Sequence, residues 1–570
     1  MKKGWKRVCS CVLLCVLCAG LLMAGPGPAR ALLEANPTLR IGLFYDSTAL
    51  PAANLENYAG AGYRLGFLQE DKQFAEVGRL SSPAQITVIK NRTLYLKDRV
   101  YSDTPSTGSV TVGCYHIDTG RTYASFAEAQ NGATALRGQD WQAFPVYSYG
   151  AYRVRIGAYA TSAAAAEDIP RLGIDGAIAL SGSAYCVSVV RTESGDMLFQ
   201  FDGGTERSLS IWPSLGEVSD PITWFKGYKY RGGFEYRRVT GNNITVINWV
   251  TLQDYVKGIL PYEMSASWSL EALKAQALCA KSFAVSSLGK HRSAGFDLCN
   301  TVHCQVYQGT NAANANSDKA VDETYGRFVY YNGKVAETVY HSHDGGATES
   351  AANVWGSEIA YLQAVIDTFE EPAKIPNGLW QYTYTNSDIN AILKDKGISA
   401  GSIVSAYIDQ FTPAGNVYRL TLVDSSGKKY NFVGEKARTT LNSTARGLQT
   451  RSQRYNIIPG GGGGAASLTI AGGVGTAVKT NVIGLYAVGG DGVQALTGTL
   501  SGLQVQSKDG IFPLSAATGF TGGNGTYLFT GSGHGHNVGL SQYGAKAMSD
   551  QGYSAEDIIH FYYASVDVLG

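Results

Sequence analysis

From residue 39 to about 100 the chain repeats short apolar runs broken by Gly, Pro and Asn, as in Leu39-Arg40-Ile41-Gly42-Leu43-Phe44. That pattern predicts β-strands joined by turns. Between 110 and 205 the period changes. Thr111–Ile117 reads as a strand, and Ser125-Phe126-Ala127-Glu128 has the spacing of a capping box that opens a short helix. In Tyr152-Arg153-Val154-Arg155-Ile156 the apolar residues fall at every second position, which predicts one buried face and one basic face. Ser162–Leu172 reads as a second short helix and Tyr185–Val190 as a closing strand, so the segment has a βαββαβ order. Residues 208–255 return to β character, ending in Asn242–Trp249. Leu270–Leu288 then reads as a helix, with Ser269 as N-cap, Glu271 in the positive first turn and Gly289 just past its end. Residues 325–340 predict a hairpin turning at Asn332-Gly333, and Ser554 caps a last helix carrying Ile558, Ile559, Phe561 and Tyr562. The predicted class is α+β: a mainly β multi-domain protein with short helices.

Composition agrees with a turn-rich chain: glycine makes up 69 of 570 residues, and charged residues only 16%. Lys and Arg total 47 against 46 acidic residues, so no basic excess points to nucleic acid. The run Gly460–Gly464 lacks the Lys-Ser/Thr of a phosphate-cradling loop and reads as a flexible connector. Lys2, Lys3, Lys6 and Arg7 precede an apolar stretch, Val8–Ala24, and Ala29-Arg30-Ala31 supplies a cleavage pattern. Residues 1–31 are therefore expected to be a signal peptide, making the protein secreted or cell-envelope associated; it would be membrane-anchored only if the signal is uncleaved. Leu17 before Cys18 argues against a lipoprotein signal. Removing 1–31 leaves 42 basic and 46 acidic residues, a net charge of −4. Four of the nine cysteines fall in that signal. The rest, Cys114, Cys186, Cys279, Cys299 and Cys304, are too few and odd in number to hold the fold by disulfides. Cys114 and Cys186 are placed so that they could pair, and Cys279 reads as a small buried hydrophobe.

Tyr152-Arg153-Val154-Arg155-Ile156-Gly157-Ala158-Tyr159 with the Ala163–Ala166 helix resembles a sporulation-related (SPOR) repeat domain. The resemblance implies a ferredoxin-like βαββαβ insert that binds peptidoglycan strands stripped of stem peptides.

Candidate chemistry is concentrated in histidines. Of eight, six lie in pairs: His291 and His303, His341 and His343, His534 and His536, while His116 and His560 read as structural. Around them run Leu252-Gln253-Asp254-Tyr255-Val256, Pro261-Tyr262-Glu263-Met264, Glu271–Ala277 and Phe296–Tyr307. A second block is Tyr340-His341-Ser342-His343-Asp344-Gly345-Gly346-Ala347-Thr348-Glu349 with Val354-Trp355-Gly356, and a third is Gly535–Ala545. In this order they resemble the stage II sporulation protein D (amidase-enhancer) family. Ser265 and Ser269 stand where that family usually has proline, and Lys281 where it usually has arginine.

The resemblance implies a lytic transglycosylase acting on denuded glycan and leaving 1,6-anhydro ends. Ordinary glycosidases need two carboxyl groups. Here the sugar's own 6-hydroxyl attacks, so one residue can serve as acid and then base. Glu263 is the motif's acid, and a glutamate among Pro261, Tyr262, Met264 and Trp268 would be kept protonated by desolvation. Tyr262, Lys274, Gln276, His341, Ser342, Glu349, His536, Ser541, Gln542 and Tyr543 are the expected substrate-binding residues. Cys299, Cys304, His303 and His291 are the candidate ligands of a structural zinc, thiolate and imidazole being its usual donors; a Cys299–Cys304 disulfide is the competing reading. No Gly-x-Ser-x-Gly elbow supports a Ser-His nucleophile. The expected organisation is a signal peptide at 1–31, the family's N-terminal β region at 37–107 and the SPOR-like insert at 108–207. The catalytic core would occupy 208–370, a β-rich accessory region 371–529 and the C-terminal signature 530–570. The alternative function is a non-catalytic wall-binding activator of an N-acetylmuramoyl-L-alanine amidase.

Overall fold

The computed structural model describes residues 34–239, 241–459 and 525–570, with six short strands between 468 and 513. The expected signal segment, residues 1–31, and Gly460–Gly464 lie outside the described residues. The chain is mainly β, in several sheets, with short helices.

Two large sheets share one apolar core. The seven-stranded sheet runs, in spatial order, Leu298–Cys299, Thr38–Phe44, Ile244–Thr251, Gly233–Arg238, Leu209–Pro213, Tyr63–Leu68 and Phe74–Leu80. The ten-stranded sheet includes Met197–Asp202, Val187–Arg191, Gln85–Lys90 and Ala52–Ala59 as neighbours. Residues such as Ile41, Val246 and Phe234 from the first sheet and Leu55, Val88 and Val189 from the second fall in the same cluster. Alternation along each strand places them inward, as the apolar pattern requires.

The segment from 115 to 181 extends the ten-stranded sheet at one end. Its strands Ile178–Ser181, Tyr115–Tyr123, Ala151–Tyr159 and Ala143–Ser148 lie side by side in that order, with helices Phe126–Arg137 and Ser162–Leu172 between them in sequence. Ser125 caps the first helix by accepting from the Glu128 amide at 3.2 Å. The expected closing strand at Tyr185–Val190 is corrected: Ile178–Ser181 closes the unit, and Val187–Arg191 pairs with Gln85–Lys90 instead. The reason is the apolar run Val187–Val190, buried on both faces, which fits the interior of the large sheet better than an edge. The basic face is corrected too. Arg155 is buried against Asp118 at 3.1 Å and only Arg153 stays half-exposed. Cys114 and Cys186 are both free thiols, so that pairing does not occur.

The central helix Leu270–Ser286 packs among the other helices and the hairpin 328–335, and its Ala- and Leu-rich sequence is buried on every face. It begins where expected, with Ser269 accepting from the Ala272 amide, and ends three residues before Gly289. The hairpin Phe328–Tyr331 and Lys334–Val335 turns at Asn332 (φ 47°) and Gly333 (φ 76°), the left-handed pair such a turn requires. The final helix Ala555–Tyr562 has the Ser554–Asp557 capping box.

Residues 379–459 build a separate small core. It contains the strands Leu379–Thr385, Ile403–Phe411, Val417–Asp424 and Tyr455–Pro459, with Tyr384, Leu420 and Phe529 inside. The strand Thr526–Ser532 lies between Leu379–Thr385 and Tyr455–Pro459, so it crosses the boundary expected at 529/530.

Candidate active site

The chain enters the site through two short helices. Thr251 caps Leu252–Lys257, and after Gly258 a single turn, Leu260–Glu263, forms with Pro261 in its first turn. Proline costs nothing there because the first amides of a helix have no acceptor. At Met264 the backbone becomes extended, so Glu263 is left at the end of the turn. Its side chain enters a cavity of about 580 Å³ lined also by Gln305, Val306, Tyr340, Trp355, Glu435 and His536. All three motif blocks therefore converge on one carboxyl group. The Val306 amide donates to Oε1 at 3.4 Å, and Gln542 and Tyr340 also bond the carboxyl. Burial outweighs these contacts and raises its pKa above the usual carboxylate range. Behind it, Gln542 donates to Gln276 at 3.4 Å and Tyr340 to Gln305 at 2.9 Å, so two side chains that face the acid are themselves held.

The histidines of the second and third blocks pair across the segments rather than within them. His341 lies 5.5 Å from His536, and His343 lies 6.3 Å from His534, centroid to centroid. His341 is buried, with Nδ1 3.2 Å from the Val538 carbonyl oxygen. Burial pushes His341 well below its ordinary pKa and brings His343 and His536 down to about 4. At neutral pH these rings are uncharged.

Residues 291–304 bring all four proposed zinc ligands together, within 4.8 Å of one another. Cys304 Sγ lies 3.4 Å from His291 Nε2 and 3.9 Å from His303 Nδ1, and Cys299 Sγ lies 3.8 Å from His303 Nδ1. A tetrahedral ion with Zn–S of about 2.3 Å and Zn–N of about 2.0 Å puts S and N about 3.5 Å apart. The donors thus fit the edges of that tetrahedron. Cys299 and Cys304 are free thiols, so the competing disulfide is not formed. A bond from the Cys304 thiol lowers the pKa of Cys299 below the ordinary thiol range.

The other expected binding residues separate into two groups. His536 lines the cavity and Gln542 reaches its acid; Tyr543 packs on Trp268 at 4.9 Å, and its amide donates to the Ser342 carbonyl at 3.0 Å. Tyr262 and Lys274 lie outside the cavity lining, Lys274 being paired with Glu271 at 3.0 Å and Glu323 at 2.6 Å. Ser541 is fully buried, capping the helix Gln542–Asp550 and donating to Glu370. Glu349 is corrected most clearly. It is 1% exposed and accepts from the Ser350 amide (2.8 Å), Asn353 (2.8 Å), Thr412 (2.6 Å) and Asn416 (3.1 Å). Oε1 is taken by its own segment and Oε2 by Thr412 and Asn416 of the accessory region, which it ties to the core. Sequence reasoning missed Glu435, Glu337 and Lys290 in the cavity, and no local pattern marked them. Trp355 and Tyr340 did stand within a motif.

The profile of the stage II sporulation protein (SpoIID) family matches residues 240–331, which include Glu263 and the Cys/His cluster. The chain is 29% identical over 337 residues to a protein named amidase enhancer from Bacillus subtilis (strain 168), covering 54% of this chain and 39% of that one. It is 26% identical over 336 residues to the stage II sporulation protein D of Bacillus amyloliquefaciens, covering 56% of this chain and 74% of the other. A protein of Brachyspira hyodysenteriae (strain ATCC 49526 / WA1) is 27% identical over 354 residues, covering 62% of this chain and 75% of that one.

Proposed function

The chain belongs to the stage II sporulation protein D family, and from that premise we propose that it is an exported lytic transglycosylase of peptidoglycan, acting in sporulation or wall remodelling. Its substrate would be glycan stripped of stem peptides. The observation that carries this reading is the Glu263 carboxyl, desolvated in a cavity to which all three motif blocks contribute.

Held protonated, Glu263 gives its proton to the oxygen of the glycosidic bond as that bond to the anomeric carbon breaks. The resulting carboxylate takes the proton of the same sugar's 6-hydroxyl, whose oxygen closes on the anomeric carbon. Atoms and protons balance without water, and the product end is a 1,6-anhydro sugar. Gln542 and Tyr340, bonded to the carboxyl, aim it; Trp355, 40% exposed on the cavity wall, offers an apolar face for a sugar ring. The βαββαβ unit at 115–181 is read as the SPOR-like insert that recruits denuded strands.

Cys299, Cys304, His291 and His303 would hold zinc. When bound, the ion serves to order the loop that presents Gln305 and Val306 to the acid. Chelation should lower Tm, and Cys304→Ser should remove that response while keeping Glu263 in place.

Purified protein on stripped glycan strands, with mass analysis of the ends, tests the main reading. Anhydro ends from the wild type and none from Glu263→Gln support it; equal yields end it. The amidase-enhancer name of one relative favours a second reading, a wall-bound activator of an amidase. That reading expects no glycan cleavage and a faster amidase on mixing.

A further inference from the structure

Three carboxyl groups that play no part in the proposed reaction lie together in the interior: Asp344 of the Gly345-Gly346 turn, and Asp367 and Glu370 beyond the helix Ala351–Trp355. They are 0%, 1% and 6% exposed, and one oxygen from each lies within 4.8 Å of the others. Backbone amides and hydroxyls orient them. The amides of Asp344 (3.2 Å) and Gly345 (3.0 Å) and the hydroxyl of Ser541 donate to Glu370. The Gly346 amide donates to Asp344 Oδ1 at 2.6 Å, and those of Phe369 (2.8 Å) and Glu370 (3.2 Å) to Asp367 Oδ1. The Tyr562 hydroxyl donates to Asp367 Oδ2 at 2.6 Å.

Asp344 Oδ2 receives nothing, although its residue is fully buried. Asn537, also fully buried and bonded through Nδ2 to the Asp344 carbonyl at 2.8 Å, likewise leaves its Oδ1 without a donor. The charge of Arg454 is felt at Asp344, yet Arg454 gives Nη1 to the Ala414 carbonyl at 2.9 Å and its Nε has no partner. An orphaned carboxylate oxygen inside a protein is costly unless a cation meets it.

We propose that Asp344, Asp367 and Glu370 form a Ca²⁺ site, with the orphaned Asp344 oxygen among its ligands. A Ca²⁺ ion holds oxygens at about 2.4 Å, so no two of its ligands stand more than about 4.8 Å apart, and the three carboxyl oxygens keep within that distance of one another. The all-oxygen donor set selects a hard cation over zinc. Dry surroundings favour Ca²⁺ over Mg²⁺, which keeps several waters. The ion would staple the glycine turn, the segment 367–370 and the last two helices. Gly544 shows how tightly these meet, since a Cβ there would run into the Tyr562 hydroxyl and Asp367 Oδ2.

Tb³⁺, which replaces Ca²⁺ and emits when excited through a nearby tyrosine, is the probe, and Tyr562 is the sensitiser. Full-length protein freed of metal by EDTA should give saturable Tb³⁺ emission at one ion per chain, displaced by Ca²⁺ but not by equal Mg²⁺. Asp344→Asn should weaken binding at least about tenfold, while Tyr562→Phe should dim the emission and keep the rise in Tm with Ca²⁺. Absent emission, or an identical titration in Asp344→Asn, overturns the proposal. If Asp344→Asn does not fold, native mass spectrometry of the wild type in millimolar Ca²⁺ decides, and an ion-free chain overturns it. A Tm that responds to acid but not to Ca²⁺ would assign a shared proton to the cluster and likewise overturn it.

Discussion

Glu263 and Glu349 are both motif glutamates drawn out of bulk water, and they are bonded in opposite ways. Glu349 has donors from Ser350, Asn353, Thr412 and Asn416 and no face toward a substrate. Glu263 has a weak 3.4 Å amide contact and two side-chain partners, and it opens onto a cavity. The difference teaches that a motif marks where a residue type is needed, while the donor inventory tells for what. A carboxyl group saturated by four donors is a fastening; one that is desolvated and under-supplied has the environment that proton transfer requires.

The largest effect that can break this comparison is on the rate. General acid–base groups typically contribute about 10²–10⁴-fold. Glu263→Gln should therefore lower the yield of anhydro ends by about 10³-fold with Tm nearly unchanged, as glutamine keeps the shape and neutrality of the protonated acid. A Tm drop as large as that of a Glu349 variant would erase the distinction.

Glu349→Ala should show the reverse pattern. It strands the Thr412, Asn416 and Asn353 donors in the interior, at a cost of about 3 kcal/mol. Denaturant unfolding should show that loss, and the remaining folded fraction should still cleave glycan. Normal stability with abolished cleavage would return Glu349 to the substrate.

Some of this was legible in the sequence. The cap at Ser269, the Asn332-Gly333 turn and the Ser554–Asp557 box depend on neighbours a few residues apart, so local chemistry fixed them. The meeting of the three motif blocks around Glu263 was implied by the family resemblance and not by any spacing. What stayed hidden depends on long-range packing. Val187–Val190 looks the same whether it closes an insert or fills the middle of a sheet, and only its partner Gln85–Lys90 decides. Glu435 enters the cavity because Gly434, in a left-handed conformation, packs against the carbonyls of Asn353 and Val354. The glycine is local, but nothing near residue 435 names Asn353 and Val354 as its partners.

Acidity supplies a sharper and smaller test. Burial raises the Glu263 pKa, so the folded protein holds this proton more tightly than the unfolded chain. The associated stability is present at low pH and is lost as pH rises through the raised pKa. Over that window, just above the ordinary carboxylate range, wild type should lose stability relative to Glu263→Gln. The cleavage rate should fall over the same window, about tenfold per pH unit once the acid is ionised. A rate that instead rises with pH there would mean that the carboxylate, not the acid, starts the reaction.

The smallest effect concerns the cavity wall. Trp355 is 40% exposed beside His536, at 5.2 Å between rings, and His536 is uncharged because burial brings it down to about 4. The pair is therefore an apolar platform rather than a charged one. A sugar ring stacked there gains contact in the ground state and the transition state alike, so the loss should appear in KM. Trp355→Ala should raise KM about tenfold, about 1.4 kcal/mol, with kcat held, while Trp355→Phe should recover most of the binding. If kcat falls and KM stays, the indole is supporting the geometry around Glu263, and the stacking role is wrong. The contrast with Glu349 then reads cleanly, because a wall residue changes binding, an anchoring residue changes stability, and the acid alone changes the chemical step.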